Sequence, residues 1–419
     1  MSCGKNIFIF ADWIGLPAPF LVGKARASVV RGKEVLSFEY NQEWLKKGQP
    51  ILLDPKLHFA PGPQYSQNAF GLFLDSAPDR WGRVLIQRRE AQRAKIEGRT
   101  PQLLFDSDYL LAVHDTCRMG ALRFKTDPNG PFQNDDHQLT TPPLHALREL
   151  EQASIRLEEC DPNDSEYRTW LNLLLAPGTS LGGARPKANV IDPAGNLWIA
   201  KFPSKNDEFN TGAWELVTYQ LATQAGLNTV NARGETFSEA GQTFLTQRFD
   251  RKREKRIHFA SAMNLLGYQD GEGAGTGASY LDLVELIGMI GENVDSDLEE
   301  LWKRIVFSIC VSNTDDHLRN HGFLLGERGW TLSPAYDLNP QPYGSGLALN
   351  INESSNALDL DLAMDVAEYF RLSSDQASRH LKQVRTAVKK WELLAQEHGI
   401  SRSEIERMRP AFLSGEAAP

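Results

Sequence analysis

The first 60 residues alternate apolar and polar side chains around turns, most clearly in segments 20–28 and 35–40. A period of two favours β-strands, because successive side chains of a strand point to opposite faces. This part of the chain is therefore predicted to form a small twisted β-unit. Residues 68–95 change to a helical, basic pattern with Trp81 among its apolar positions. A solvated polar helix face explains that pattern best, and a partner- or DNA-facing helix is the alternative.

Residues 126–143 are rich in Pro, Asn, Asp and Gly and show no apolar period, so this segment is the predicted domain linker. The pattern after the linker predicts, in order, a helix (144–157), two strands (187–191 and 197–202), a helix with one apolar face (213–225) and a strand (245–249). Helical patterns dominate from about residue 258, at 281–290, 298–311, 376–396 and 401–408. A strand-rich part followed by a helix-rich part is typical of the α+β class.

Composition adds the size and the expected compartment. The chain has 419 residues, which suggests two or three folding units, and its formal net charge is −9. Such a mildly acidic chain is not held to nucleic acid by its overall charge, but this charge does not exclude a local basic patch. The four cysteines have no metal-binding spacing, and the apolar runs at 7–10 and 305–311 are too short for a signal peptide or a membrane span. A cytoplasmic protein with reduced thiols and no membrane contact is predicted.

A glycine-rich stretch at residues 178–187 (GTSLGGARPK) contains Ser180 inside a GxSxG pattern. In hydrolases such a serine needs a strand before it and a helix directly after it. Here Pro186 interrupts any following helix and an alternating run begins at Lys187, so the context argues against a hydrolase. A loop that covers phosphates fits better, because glycines let backbone N–H groups approach an anion closely. No Gly-Lys pair precedes Ser or Thr, so the chain has no Walker A motif.

Lys201 lies inside the apolar strand predicted at 197–202. An unpaired ammonium in an apolar environment is costly, so this lysine needs an anion nearby. Glu215 in the following helix is one candidate partner, and nucleotide phosphates are the other. A lysine on an edge strand whose amine reaches solvent explains the pattern equally well.

The densest polar cluster follows the apolar helix predicted at 298–311. Asp315 and Asn320 stand five positions apart, which is the spacing of the catalytic aspartate and the metal-binding asparagine in protein kinases. Asp337, in a Tyr-Asp-Leu context, matches a metal-binding aspartate of the DFG type. Oxygen ligands from Asn320 and Asp337, completed by triphosphate oxygens and water, suit Mg²⁺.

Two other interpretations of this cluster stay open. The polar residues could serve only as helix caps, but four carboxylate, amide and imidazole groups beside an apolar helix are costly without a ligand. A metal-hydrolase centre could instead use Asp315, Asp316, His317 and His321, although the sequence offers no further clustered histidines.

Taken in order, these motifs resemble the HipA-like Ser/Thr kinases, the toxin components of bacterial toxin–antitoxin pairs. The resemblance covers nearly the whole chain and rests on SLGGARPK, the lysine strand, QRFD, NTDDHLRN and AYDL. It implies a kinase-like two-lobed α+β core with a small β-rich N-terminal subdomain and a helical C-terminal lobe. The implied domains are an N-terminal subdomain (1–125), the linker (126–143), a nucleotide-binding lobe (144–255) and a helical catalytic lobe (256–419).

The resemblance also implies roles for individual residues. Asp315 would be the catalytic base, and Asn320 and Asp337 would hold Mg²⁺. Ser180 falls where the family carries an autophosphorylated serine, and Thr179 is a competing acceptor. The residues that would contact ATP are Gly182, Gly183, Ala184, Arg185, Pro186 and Lys187 over the phosphates, Lys201, the adenine hinge Gln247, Arg248 and Phe249, then His317, Leu318, Arg319, Asn320, Tyr336 and Asp337.

The predicted function is that of an ATP- and Mg²⁺-dependent protein serine/threonine kinase, the toxin of a type II toxin–antitoxin system. The alternative is a non-catalytic kinase-like co-repressor that acts with a DNA-binding antitoxin. The complete set of Lys201, Asp315, Asn320 and Asp337 favours the enzyme. Because no helix-turn-helix is identified, the family implies a separate HipB-like antitoxin that makes the DNA contact. The substrate class that the family suggests is a translation component, such as an aminoacyl-tRNA synthetase.

Overall fold

A computed structural model describes residues 4–47, 51–66, 69–135, 141–159, 166–178 and 183–413 of the chain. The chain divides into two compact units. Unit 1 comprises residues 1–205 and 247–260, and unit 2 comprises residues 206–246 and 261–419. The predicted division into four segments stays a prediction, and residues 136–140 of the predicted linker lie outside the described residues.

Most strands of the described ranges lie before residue 262. The strands are β1 (Lys5–Ala11), β2 (Phe20–Val30), β3 (Lys33–Tyr40), β4 (Gln64–Ser66), β5 (Leu122–Lys125), β6 (Lys187–Ile191), β7 (Leu197–Lys201), β8 (Ala232–Ser238), β9 (Gly241–Gln247), β10 (Arg251–Lys252), β11 (Lys255–Arg256), β12 (Phe259–Ser261), β13 (Gly322–Leu325) and β14 (Trp330–Leu332).

Of the fourteen α-helices in the same ranges, eight lie in the second half of the chain. They are α1 (Gln42–Lys46), α2 (Gly71–Leu74), α3 (Arg80–Ile96), α4 (Asp106–Ala112), α5 (Leu147–Glu159), α6 (Tyr167–Gly178), α7 (Thr211–Gln224), α8 (Ala262–Leu266), α9 (Tyr280–Ile290), α10 (Val294–Cys310), α11 (Leu360–Asp365), α12 (Ser374–Val388), α13 (Trp391–Glu397) and α14 (Arg402–Met408). The α+β class is confirmed. None of these helices is long and apolar enough to cross a membrane.

An antiparallel sheet in the order β4-β3-β2-β1-β5 forms the N-terminal part of unit 1. Its strands bury alternate residues, as Ile7, Ile9 and Ala11 of β1 show. The β2–β3 hairpin turns at Arg31 and Gly32, which both have positive φ angles, 51° and 78°. The prediction of a β-unit in the first 60 residues is correct for β1 to β3, because one face of the sheet is covered by a core and the other is not. Strands β4 and β5 lie beyond residue 60 and were not predicted.

The rest of unit 1 consists of helices and two hairpins. Helix α6 packs between α5 and α3 and also contacts β6. Strands β6 and β7 pair antiparallel, with Lys187 directly opposite Lys201. Along α3 the predicted solvated face is present, since Arg80, Arg89, Arg93 and Lys95 are exposed. The hairpin β6–β7 is the element that carries both lysines of the predicted site.

Unit 2 is built around two buried helices. Helix α7 packs against α12, α13 and β8, and every residue from Gly212 to Tyr219 is buried. The four apolar residues predicted to share one face of this helix are all buried, namely Trp214, Val217, Leu221 and Ala225, and neighbours cover further sides as well. Its Trp214 contacts the rings of Trp391 and Phe412, each at a centroid distance of 6.2 Å.

Helix α10 delivers the polar cluster predicted to carry the chemistry. Residues 305–311 are buried without exception. The helix ends at Cys310, and Ser312 follows in a left-handed conformation with φ 48°. Because the chain turns there, residues 313–320 leave the helix immediately after its apolar end.

Asp297 in the first turns of α10 is expected to make unfolding pH-dependent. Burial raises its pKa to about 6, against the opposing hydrogen bond from the Leu332 N–H and the charge of Arg304. The folded protein thus binds this proton more tightly than the unfolded chain, and stability should fall as pH rises from about 4 to about 6. Asp297→Asn should remove this decline and raise the urea midpoint at pH 7.

The matched control for that substitution is Asp295→Asn on the same turn. The Asp295 side chain is 81% exposed and pairs with Arg371, so its loss should shift stability little. If both variants keep the same pH profile as the parent between pH 4 and 7, Asp297 does not cause the slope.

Candidate active site

The turn after α10 brings Asp315 and Asn320 together. The Asn320 side-chain amide donates to the backbone oxygen of Asp315 at 2.9 Å, and the His317 N–H donates to the same oxygen at 2.9 Å. Asp315 is exposed, whereas Asn320 is buried. The five-residue spacing therefore folds into one compact turn, with a carboxylate at the surface and an amide beneath it.

Asp316, the neighbour of Asp315, has the opposite environment. Its carboxylate is buried and accepts hydrogen bonds from the Tyr280 hydroxyl at 2.7 Å and the Ser308 hydroxyl at 3.2 Å. His321 Nε2 lies 3.2 Å from the other oxygen. Burial by itself would raise the Asp316 pKa, but the interactions with His321 and Tyr280 outweigh it and hold the pKa below its usual value. Asp316 is thus a structural anion that anchors the turn.

The segment that carries Asp337 is tied to this turn by side chains. Tyr336 donates its hydroxyl to the Arg319 carbonyl at 2.7 Å. The Asn339 amide donates to Asp337 Oδ1 at 3.2 Å, and its backbone N–H donates to Asn313 Oδ1 at 3.3 Å. Of the predicted nucleotide residues in this region, Leu318 is buried, His317 is half-buried, and the Arg319 guanidinium pairs with Asp270 at 3.2 Å.

The donor groups of this cluster suit a hard cation. Because the nitrogen of the Asn320 amide is directed at the Asp315 carbonyl, its oxygen faces away from that bond and is chemically suited to Mg²⁺. The Asp337 carboxylate is the charged oxygen donor of the pair. One or two protein oxygen ligands plus substrate phosphates is the usual way in which proteins hold Mg²⁺. Among the described residues, no group of three His, Cys, Asp or Glu side chains is placed so that it could hold a metal ion. The metal-hydrolase interpretation therefore gains no support from a group of that kind.

Of the glycine-rich stretch, Gly178 at the end of α6 and the residues from Gly183 onward are described. Ser180, Thr179 and Gly182 lie outside the described residues. Gly183 has φ 99°, a conformation that favours glycine, and it is exposed together with Ala184. Arg185 is half-buried and Pro186 is buried at the start of the hairpin.

The Lys187 side chain is buried in the interior of unit 1 and does not extend from the loop into solvent. Its ammonium donates to Asp79 Oδ2 at 2.9 Å, and both side chains are 2% exposed. The other oxygen of Asp79 accepts the Gly82 N–H at 2.6 Å, as an N-cap of α3. Asp79 was not predicted from the sequence. Its position before a helical pattern signals a cap, but nothing in the sequence connects it with Lys187.

Lys201 and Glu215 belong to different compact units. Lys201 is half-buried at the end of β7, and Glu215 is buried in α7. The pairing of these two residues stays a prediction.

The predicted hinge begins at Gln247, the last residue of β9. The Arg248 N–H donates to the Leu197 carbonyl at 2.8 Å, which continues the hairpin. The Arg248 side chain points into unit 1, where it bonds both oxygens of Asp250 at 2.9 and 2.7 Å and the Asn189 oxygen at 2.7 Å. Gln247 and Phe249 are half-buried. A buried guanidinium thus fixes the backbone on which the hinge prediction rests.

Asp250 closes the QRFD motif, and the sequence predicted no role for it. It is fully buried and accepts from Arg248, Arg251 and the Gly120 N–H. Burial alone would raise its pKa, but Arg248 and Arg251 outweigh burial and lower the pKa to about 2. The carboxylate therefore stays ionised between two cations.

Comparison with known proteins finds a curated protein and solved structures that are similar to this chain. A curated protein of Sinorhizobium fredii, named "Putative kinase Y4dM", is 26% identical over 223 residues, which cover 45% of this chain and 54% of the relative. The chain thus spans about half the length of that relative. The solved complex of Shewanella oneidensis HipA, HipB and operator DNA contains a chain that is similar over 98% of this chain and 95% of its own length, with TM-score 0.66 and 17% identity.

At that identity the Shewanella structure shows a shared fold and nothing finer. The Helicobacter pylori kinase CtkA aligns with 55% of this chain at a TM-score of 0.37, which is too low to support an argument. The family described as HipA-like C-terminal domain matches residues 179–391, slightly more than half of the chain. This range includes the glycine-rich loop, the strand that carries Lys201, and the segments that carry Asp315 and Asp337. The chain belongs to the HipA-like family, which confirms the resemblance found in its motifs.

Proposed function

We propose that this protein is an ATP- and Mg²⁺-dependent protein serine/threonine kinase and the toxin of a toxin–antitoxin pair. The observation that carries the proposal is the side-chain network of unit 2, in which Asp315 and Asn320 share one turn and Asn339 joins the Asp337 segment to it. An exposed carboxylate and two oxygen donors for a metal, on segments that these hydrogen bonds join, are the groups that phosphoryl transfer uses. Membership of the HipA-like family supports the same function.

In this mechanism the exposed Asp315 carboxylate would orient a serine or threonine hydroxyl and accept its proton as the oxygen bonds to the γ-phosphorus of ATP. The bond between that phosphorus and the β,γ-bridging oxygen breaks at the same time, and ADP leaves. Asn320 and Asp337 would hold Mg²⁺, which, when bound, supplies positive charge opposite the phosphate oxygens. Lys201 would contribute a second cation to the phosphates. Gln247 and Phe249 would contact adenine from a backbone that the buried Arg248 keeps in place.

The proposed control of this kinase is autophosphorylation of Ser180, with Thr179 as the competing acceptor. A phosphate there would add about two negative charges close to the glycine-rich loop. Attraction to cations such as Arg185 would then draw the loop away from ATP and switch the enzyme off.

The proposed partner is a small HipB-like antitoxin that makes the contact with operator DNA. The support is the fold shared with Shewanella oneidensis HipA, a protein solved with HipB and its operator. The proposed compartment is the cytoplasm, and the proposed substrate class is a component of translation, such as an aminoacyl-tRNA synthetase.

The test of the function is incubation of the purified full chain with labelled ATP, with Mg²⁺ or with EDTA, followed by mapping of phosphorylated sites. Mg²⁺-dependent phosphate on serine or threonine is the expected result. A protein that binds the HipB-like partner but neither binds nor turns over ATP would instead be the co-repressor. Labelling of Ser180 by a fluorophosphonate would point to the hydrolase.

Asp337→Asn is expected to weaken Mg²⁺-dependent ATP binding. Asp337 has a left-handed φ of 58°, a conformation that Asn also tolerates well, so the substitution removes a charge and leaves the backbone unchanged. The loss should equal or exceed the ~10–100-fold typical of residues that only support a metal ligand. Titration of ATP at several Mg²⁺ concentrations measures it, with exposed Asp375→Asn on α12 as control. An unchanged metal dependence would move the metal site elsewhere.

A further inference from the structure

The backbone around Asp337 needs external support. Residues 333–340 form neither helix nor strand, and Asp337 has a left-handed φ of 58°. This conformation is uncommon for a residue other than glycine, although Asp and Asn adopt it more readily than most, and neighbouring contacts help to hold it. The contacts of this segment therefore decide where its carboxylate lies.

Asn339 supplies one such contact, two residues further on. Its side-chain amide donates to Asp337 Oδ1 at 3.2 Å. Its backbone N–H donates to Asn313 Oδ1 at 3.3 Å. Asn339 thus holds the carboxylate on one side and the turn after α10 on the other.

Asn313 continues the connection into the interior. It is only 1% exposed and uses both ends of its amide, because its nitrogen donates to the Ser308 hydroxyl at 3.4 Å. Ser308 in turn donates to Asp316 Oδ2 at 3.2 Å. A chain of hydrogen bonds therefore runs from Asp337 to the residue that directly follows Asp315.

We infer that Asn339 and Asn313 are positioning residues that fix the Asp337 carboxylate relative to the turn that carries Asp315 and Asn320. The inference rests on the proposed function, in which Asp337 and Asn320 hold the metal. A hydrogen bond from an amide N–H to one carboxylate oxygen determines how the other oxygen is directed. Ligand and base then keep a constant separation, although Asp337 follows Asp315 by 22 positions in the sequence.

The test compares Asn339→Ala with the parent protein as full chains. Binding of Mn²⁺ in the presence of ATP, followed by electron paramagnetic resonance, is expected to weaken by about 10–100-fold, the usual effect of losing a partner of a metal ligand. ATP affinity in EDTA should stay unchanged, because no nucleotide contact is removed. If Asn339 had only a structural role, its substitution would lower thermal stability without this selective loss of metal binding.

The matched control is Asn352→Ala, which removes an amide from another turn of unit 2. The Asn352 oxygen accepts the N–H groups of Ser354 and Ser355 at 3.0 and 2.8 Å, so its loss should leave Mn²⁺ binding unchanged. Asn313→Ala should reproduce the effect of Asn339→Ala. If Asn313→Ala does not fold because the site is buried, Mn²⁺ binding by Asn339→Ala, at a half-buried site, still tests the positioning role.

Two results would overturn the inference, and they differ. If the parent binds Mn²⁺ with ATP and Asn339→Ala binds it equally well, the positioning role is wrong and the proposed function stands. If the parent itself shows no metal-dependent ATP binding, the proposed function fails and the inference fails with it.

Discussion

Asp315→Asn is expected to lower the rate of phosphoryl transfer by about 10²–10⁴-fold, because an amide cannot accept the proton of the substrate hydroxyl. The fold should persist, since Asp315 is exposed and its backbone oxygen accepts the bonds from His317 and Asn320. Affinity for Mg²⁺ and ATP should also persist, because neither proposed metal ligand changes. Single-turnover transfer from labelled ATP measures the rate.

The control for this prediction is Asp361→Asn, which neutralises an exposed carboxylate on α11. It should transfer phosphate at the parent rate. Transfer by Asp315→Asn close to that rate, with equal thermal unfolding of both variants, would assign the role of the base to another group.

Asp250→Ala is expected to cost about 3–5 kcal/mol of stability, because removal of one partner leaves buried charges uncompensated. Arg248 and Arg251 would lose their shared carboxylate, and the Gly120 N–H would lose its acceptor. Because the Asp250 pKa is lowered to about 2, its contribution is complete above about pH 4 and is lost as pH falls towards 2. The difference from the parent should therefore shrink in acid.

Urea unfolding followed by circular dichroism at pH 7 and pH 3 measures this effect. Asp127→Ala serves as the control, because Asp127 is an exposed residue of unit 1. The hydrogen bond described for its carboxylate comes from the Asn129 N–H within a turn, at 3.0 Å. A loss at Asp250 no larger than that at Asp127 would show that the arginines find other partners.

Local patterns predicted much of the architecture correctly. Alternation identifies β2 and β3, and the two apolar runs on either side of a turn identify the β6–β7 hairpin, because each strand has one covered face or is bounded by clear turn residues. The apolar run at 305–311 identifies the end of α10. Helix α4 was missed because it has only seven residues, and α6 was missed although it buries Tyr167, Leu171 and Leu174 at helical spacing. Helix α7 is buried on most sides because several elements pack around it.

The contacts between distant residues were not predictable. Lys187 pairs with Asp79, 108 positions away, and Arg248 bonds Asn189, 59 positions away. A lysine in a glycine-rich motif indicates a phosphate contact, yet in this structure its ammonium is paired in the interior of unit 1. Such pairs arise from the packing of separate elements, and a single sequence carries no record of that packing.

The sequence by itself determined the order and spacing of the chemical groups: a glycine-rich loop, a lysine strand, then Asp315, Asn320 and Asp337. Those features depend on covalent order and local backbone preference. Only the tertiary structure decided that Asp315 is exposed while Asp316 is buried, and that Asn313 and Asn339 connect two acidic segments. Burial and hydrogen-bond partners depend on which elements pack together, and adjacent identical residues acquire different environments for that reason.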